Sequence, residues 1–385
     1  MSHERQLPLF PDDQTARGVT DAPVSRRRPA APSTASDRGG SPPAPVPLDS
    51  ELRDLAAGLP PALRMGTSSW SFPGWAGLVY RAPEGRARLS EAALARAGLA
   101  AYAQHPLFRS VGIDRTFYAP VPAAVHAAYA AAVPADFRFL VKAPQSIVSA
   151  RRRDGAPESA FLDPDLAAAL FVRPAAEGLG ERLGVLLVQC PPLPRSEVQD
   201  ALRDVRRGAT TKEPALLRRL GVLLDRIVRE APHGAVAALE LRDAEFLAPP
   251  LLPHLRAMLE RSGALHCYAL HPATAPLDAQ LAAIPPETQP AVVIRWMLRR
   301  NHRYDEAVEA YAPFDRLVEP DPEARGGIEA LAMHAESLRR PTWIIVNNKA
   351  EGSAPLSILE LARAMVRARR ERRTAPPLPS PAPLR

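Results

Sequence analysis

Short runs of apolar, often β-branched residues recur along the middle of this chain, separated by longer stretches whose apolar positions repeat at helical spacing. The runs are Leu63 to Ser68, Phe108 to Ile113, Phe137 to Val141, Gly184 to Cys190, Val236 to Leu241, Leu265 to Leu270, Ala291 to Met297 and Trp343 to Val346. Most are nearly continuous rather than alternating, as strands buried on both faces are. Helical spacing covers residues 91–104, 123–132, 166–176, 214–230, 251–261, 277–283, 305–311 with 322–338, and 356–370. Eight strand and helix units in one chain predict an α/β fold, a closed (β/α)8 TIM-type barrel. A doubly wound open sheet is the other arrangement of such units, but no glycine-rich dinucleotide or phosphate loop follows the first strand.

Outside this region the periodicity stops. Residues 1–55 and 373–385 are rich in Pro and Arg, which predicts disordered tails on either side of a barrel domain over residues 60–372. Two links inside the domain, 144–164 and 191–213, are long and Arg/Pro-rich, the size of lids or insertions. Within the first tail, Gln6-Leu7-Pro8-Leu9-Phe10 resembles the peptide by which many bacterial proteins dock on the DNA sliding clamp. There a Gln side chain hydrogen-bonds and a Leu-Phe pair fills an apolar pocket, so Gln6, Leu7, Leu9 and Phe10 name the clamp as a partner and an accessory role in DNA maintenance as one function.

Charge changes this picture little. Of the net +7, residues 363–385 contribute +6 and residues 1–50 contribute nothing, leaving +1 for the rest. The barrel therefore carries no polyanion-binding balance, and direct nucleic-acid binding by it is not expected. The cluster Arg367, Arg369, Arg370, Arg372 and Arg373 falls at the end of the last helix, where cations suit the dipole. Cys190 and Cys267 lie in or beside apolar runs without ligand spacing, as reduced buried thiols of a cytoplasmic protein do. No run has the length of a membrane span or a signal peptide core, so a soluble chain is expected.

A barrel gathers the C-terminal ends of its strands at one mouth, so those ends define the candidate site. They supply Trp70, Asp114, Tyr118, Lys142, Gln189, Glu240, Arg242, His271, Arg295, Asn347, Asn348 and Lys349. Lys142 is notable because the chain has 46 Arg and only three Lys. A lysine in this setting is either a desolvated proton-transfer or imine-forming amine, or a cation paired with a carboxylate such as Glu240. Arg242 and Arg295 could clamp a carboxylate or phosphate, Trp70 and Tyr118 could stack on a ring, and Gln189, Asn347 and Asn348 could orient polar groups. These roles describe a protein that binds or transforms a small polar or anionic molecule, with Lys142 and Glu240 as the proton-transfer pair. A metal-assisted phosphoesterase is an alternative on the same mouth, although no metal-ligand spacing is present and no cofactor is identified.

Several blocks in order carry a resemblance. Gly66-Thr67-Ser68-Ser69-Trp70-Ser71-Phe72-Pro73-Gly74-Trp75, Thr116-Phe117-Tyr118, Phe137 to Pro144, Gln189-Cys190-Pro191-Pro192, Glu240-Leu241-Arg242 and Asn347-Asn348 resemble the signature blocks of the YecE-like family, domain of unknown function 72. The resemblance implies a (β/α)8 barrel and a site at these blocks, and no reaction. It also marks the chain as divergent: Gly112 stands for the family's usual Glu, Asp114 for an Asn, Asp243 for a His and Met297 for a His.

Overall fold

The computed structural model describes residues 42–81, 89–152, 155–206 and 213–374. Eight parallel strands, β1 (Leu63–Thr67), β2 (Ser110–Ile113), β3 (Arg138–Lys142), β4 (Leu183–Cys190), β5 (Val236–Leu241), β6 (Leu265–Leu270), β7 (Val292–Trp296) and β8 (Thr342–Val346), each pair with the next. β8 pairs with β1 and closes the barrel, Leu63 opposite Thr342 through Thr67 opposite Val346. Of the closed and the open arrangement considered from sequence, the closed one is found, as expected. Among the described residues, no helix is long and apolar enough to cross a membrane.

Alternation along β3 to β8 sorts the side chains into two cores. Leu140, Val185, Leu187, Ala238, Leu265, Cys267, Val293, Trp343 and Ile345 form a separate cluster, which is the barrel interior. The intervening residues, such as Val141, Leu186, Leu239, Ile294 and Ile344, pack instead into the larger core shared with the surrounding helices. Near-continuous apolar sequence is therefore what this position in the fold requires. Two residues beyond the interior cluster the same inward face reaches Lys142, Gln189, Glu240, Arg295 and Asn347, where apolar residues give way to polar ones.

β1 and β2 meet closely because Gly66 has no side chain; a Cβ there would lie 1.8 Å from the Ser110 carbonyl oxygen. Their short ladder is completed by Tyr102, whose hydroxyl accepts from Thr67 N and Thr67 Oγ1, each at 2.9 Å, and donates to Ser110 O at 3.1 Å. Tyr102→Phe keeps the ring and strands those buried backbone groups, so a loss of about 1–3 kcal/mol is expected in chemical denaturation. An unchanged midpoint would show that the seam does not depend on this hydroxyl.

The helical layer departs from sequence expectation at three places. Helix Arg195–Arg206 occupies most of the second long link; its heavily charged composition hid an apolar stripe of which Val198 and Ala201 are buried. In the first link, the short helix Gln145–Val148 buries Ile147 and Val148. Helix Ser50–Gly58, capped by Asp49 accepting from Leu52 N at 2.8 Å, begins inside the stretch assigned to the N-terminal tail. It packs against the last helix, Ala354–Thr374, and Arg363 of that helix bonds Glu51 at 3.0 Å. The terminal arginines are similarly engaged: Arg369 pairs with Glu336 at 2.8 Å and Arg372 donates to Met333 O at 3.3 Å. They pin the last helix to its neighbours. The peptide Gln6 to Phe10 lies outside the described residues.

Candidate functional site

Glu240, near the end of β5, is fully buried and lies in register with Gln189 of β4. Its carboxylate is held by two guanidinium groups, Arg242 Nη2 at 2.6 Å from Oε1 and Arg295 Nη1 against Oε2. Burial pushes the Glu240 carboxyl up, but Arg242 and Arg295 outweigh it and hold it down at about 2. The two arginines expected to clamp an external anion thus already clamp an internal one. Glu240 and Lys142 are not an ion pair.

Lys142, at the end of β3, is 6% exposed and its Nζ lies 3.7 Å from the centre of the Phe117 ring. Among the described residues, no carboxylate lies within ion-pair distance of this amine. Burial is the main reason its affinity for the proton falls, to a value of about 8, with Asp114 and Glu240 pulling it back up and the arginines pushing it further down. A second amine, Lys349, follows β8 and sits 4.4 Å from the centre of the Tyr304 ring. It too is lowered to about 8 by burial, partly offset by Asp114. Asp114 therefore faces the field of both lysines, and its Oδ1 is 3.9 Å from Arg295 without a hydrogen-bond partner of its own. Arg242 Nε and Arg295 Nε are also buried and without hydrogen-bond partners. His271, after β6, is held neutral: burial and then Arg242 lower it to about 3, and its Nδ1 accepts from Ala273 N at 3.0 Å.

The mouth thus brings together Asp114, Lys142, Glu240, Arg242, Arg295 and Lys349, from five strands. Gln189 and Asn347 stand on the same inward face. Asn347 Nδ2 donates to Ser68 Oγ at 2.8 Å, linking β8 to the exit of β1. Asn348 has a different part: its Oδ1 accepts from Trp75 Nε1 at 3.2 Å and from Ala354 N at 2.9 Å, fixing the start of the last helix. Trp70 does not join the group. Its indole donates to Leu94 O at 3.1 Å and its ring is edge-on to Tyr129, both on surrounding helices. Tyr118 reaches the site through Phe117, edge-on at 5.5 Å.

Phe117 and Tyr304, the rings beside the two amines, were absent from the set read off the sequence. Tyr304 lies outside any strand end and carries no sequence signal. The segment following β7 is held to that following β8 by Glu351, which accepts from Arg325 Nε at 2.8 and 3.0 Å and from Asp321 N at 2.5 Å. Of the divergent positions, Asp243 accepts from Leu193 N at 3.0 Å, and Gly112 is packed so closely that a Cβ would lie 3.0 Å from Ser68 O. A cavity of about 1050 Å³ opens elsewhere, on the outer side of β6 and β7 between helices Leu277–Ala283 and Pro322–Ser337. Its walls include Leu270 and Trp296, whose side chains alternate with the inward ones. Among the described residues, no group of three or more His, Cys, Asp or Glu is placed to hold a metal ion.

Residues 64–383 match the profile of a family described as "Protein of unknown function DUF72". A crystal structure of a DUF72 family protein from Enterococcus faecalis superposes with a TM-score of 0.53 at 17% identity, over 79% of this chain and 95% of that one. One of a DUF72 family protein from Thermotoga maritima superposes with a TM-score of 0.48 at 20% identity, over 79% and 98%. At 17% identity the likeness to the Enterococcus faecalis structure is one of fold alone. No curated protein matches the chain.

Proposed function

The chain belongs to the DUF72 family of proteins of unknown function, and we propose that its barrel mouth is a binding site for a small anion, a carboxylate or a phosphate. One observation carries the reading. Four buried cations, Lys142, Lys349, Arg242 and Arg295, face two carboxylates, Asp114 and Glu240, so positive charge is left uncompensated in a desolvated place. Buried charge without a counter-ion is costly, and an anion that supplies one gains the attraction these cations do not find within the protein. Lys142 provides the open contact, because Glu240 is committed to the two arginines. The guanidinium Nε groups of Arg242 and Arg295 supply unmet hydrogen-bond donors around it.

The test is thermal unfolding of the full chain in malonate and in inorganic phosphate, against sodium chloride of equal ionic strength. A ligand that binds only the folded state stabilises it by about 2.7 kcal/mol at a hundred times its Kd. The melting temperature is expected to rise in malonate or phosphate beyond the chloride control, and to rise clearly less in Lys142→Met. Equal shifts in chloride, or an undiminished shift in the variant, would remove the assignment.

A further inference from the structure

We propose that Lys142 is a nucleophilic amine that forms an imine with a small carbonyl compound bearing an anionic group, such as a 2-oxo acid or a phosphorylated aldehyde. This rests on the reading of the mouth as an anion site and adds covalent chemistry to it. The placement of Lys142 is what an imine-forming lysine needs. Its Nζ stands over the Phe117 ring, which takes no proton from it, and the nearest strong carboxylate, Glu240, is turned to Arg242 and Arg295. A lysine locked in an ion pair stays charged; this one is held by burial at about 8, so on the order of a tenth of it is free amine at neutral pH.

Residue usage points the same way. With 46 Arg against three Lys, the chain meets its need for positive charge almost everywhere with guanidinium, yet uses an amine at the end of β3. Guanidinium matches carboxylates better but is never deprotonated and forms no imine under these conditions. An amine there supplies a property that Arg lacks, and that property is nucleophilicity.

The step balances without further reagents. The Lys142 lone pair adds to the carbonyl carbon, the carbonyl electron pair moves to oxygen, and proton transfer gives a carbinolamine. Loss of that oxygen as water leaves a protonated imine, so ammonium and carbonyl compound yield iminium and water. Among the described residues, no carboxylate lies within ion-pair distance of Lys142, so the proton leaves and returns through water; Asp114, whose Oδ1 has no hydrogen-bond partner, is the carboxylate not committed to a hydrogen bond on that side of the mouth.

The experiment treats the full chain with glyoxylate or glycolaldehyde phosphate in the presence of sodium cyanoborohydride, whose hydride traps the imine, and locates the adduct by intact mass and peptide mapping. With only three lysines the map is simple. Besides the α-amino group, whose ordinary value near about 8 makes it react as any exposed amine does, one lysine adduct per chain is expected, on Lys142, formed on the order of tenfold faster than on Lys212, at a rate rising between about pH 7 and 9. Lys142→Arg keeps the cation and is expected to lose the adduct while retaining its circular dichroism. Faster labelling with one aldehyde tells whether carboxylate or phosphate suits the site. Labelling spread evenly over the lysines, or concentrated on Lys349, overturns the proposal. If malonate still stabilises the chain but Lys142 is not labelled, the imine falls and the anion site stands; if malonate has no effect either, both fall.

Discussion

Glu240→Ala is expected to lower the unfolding free energy by about 3–5 kcal/mol, the cost of removing one member of a buried ion cluster. The substitution leaves Arg295 at 1% exposure and Arg242 at 8% with their shared counter-ion gone. A guanidinium cannot relieve this by giving up its proton. The loss is one of uncompensated charge rather than of packing, and two further measurements separate the causes. Formate, which is the missing carboxylate, is expected to stabilise Glu240→Ala more than it stabilises the wild type, restoring part of the loss. The triple variant Glu240→Leu, Arg242→Met, Arg295→Met removes all three charges and is expected to be more stable than the single variant. Because the Glu240 carboxyl is depressed to about 2 from its ordinary 4.5, its contribution is complete above about pH 4.5 and lost as pH falls through 2. A denaturation midpoint unmoved by Glu240→Ala, or a triple variant as weak as the single one, would mean that the cluster does not hold the mouth together.

That cluster shows what the sequence could and could not reveal. The staves themselves were legible, because a strand enclosed between the interior and the helical layer must be apolar on both faces, and Val185 to Val188 or Trp343 to Val346 cannot be read otherwise. Closure followed from the number of units. Once the barrel is closed, a period of two carries the inward face from Leu140 to Lys142, from Ala238 to Glu240 and from Val293 to Arg295, so the convergence of these residues was legible too. The pairing was not. Glu240 meets Arg295 across 55 positions of chain, and nothing in the spacing says that two arginines outbid Lys142 for it. Trp70 failed for a related reason: a residue past the end of a strand is freed from the alternation, and this one turns to Leu94 in the helical layer. Tyr304 comes from the middle of a connection, where neither period applies. The charged helix Arg195–Arg206 was obscured because only a narrow stripe of it is buried.

Lys142→Met is expected to stabilise the unliganded chain at neutral pH by up to about 3 kcal/mol, as a depressed buried amine implies. The unfolded lysine keeps its ordinary value near 10.5, while burial lowers the folded one to about 8. Below pH 8 the folded chain carries the whole penalty of an ammonium in a desolvated site. Between 8 and 10.5 the folded amine releases its proton while the unfolded one retains it, so the penalty shrinks as pH rises. The advantage of Lys142→Met should therefore be largest at or below pH 7 and fade toward pH 10. Other groups titrate in the same window: Lys349 acts in the same direction, and the thiols of Cys190 and Cys267, both raised by burial, oppose it above their ordinary range. These are common to both chains, so the quantity to measure is the difference between wild type and variant by urea denaturation across pH. A variant less stable than wild type at pH 7, or a difference that does not vary with pH, would show that the amine is not held uncompensated. Malonate supplies the decisive comparison: it should narrow the difference at pH 7 by stabilising the wild type more than the variant, which keeps Lys349 but lacks the Lys142 ammonium. A lysine that weakens the barrel on its own and recovers its cost when an anion arrives contributes to binding rather than to folding, which sets Lys142 apart from Arg242 and Arg295, which Glu240 already holds.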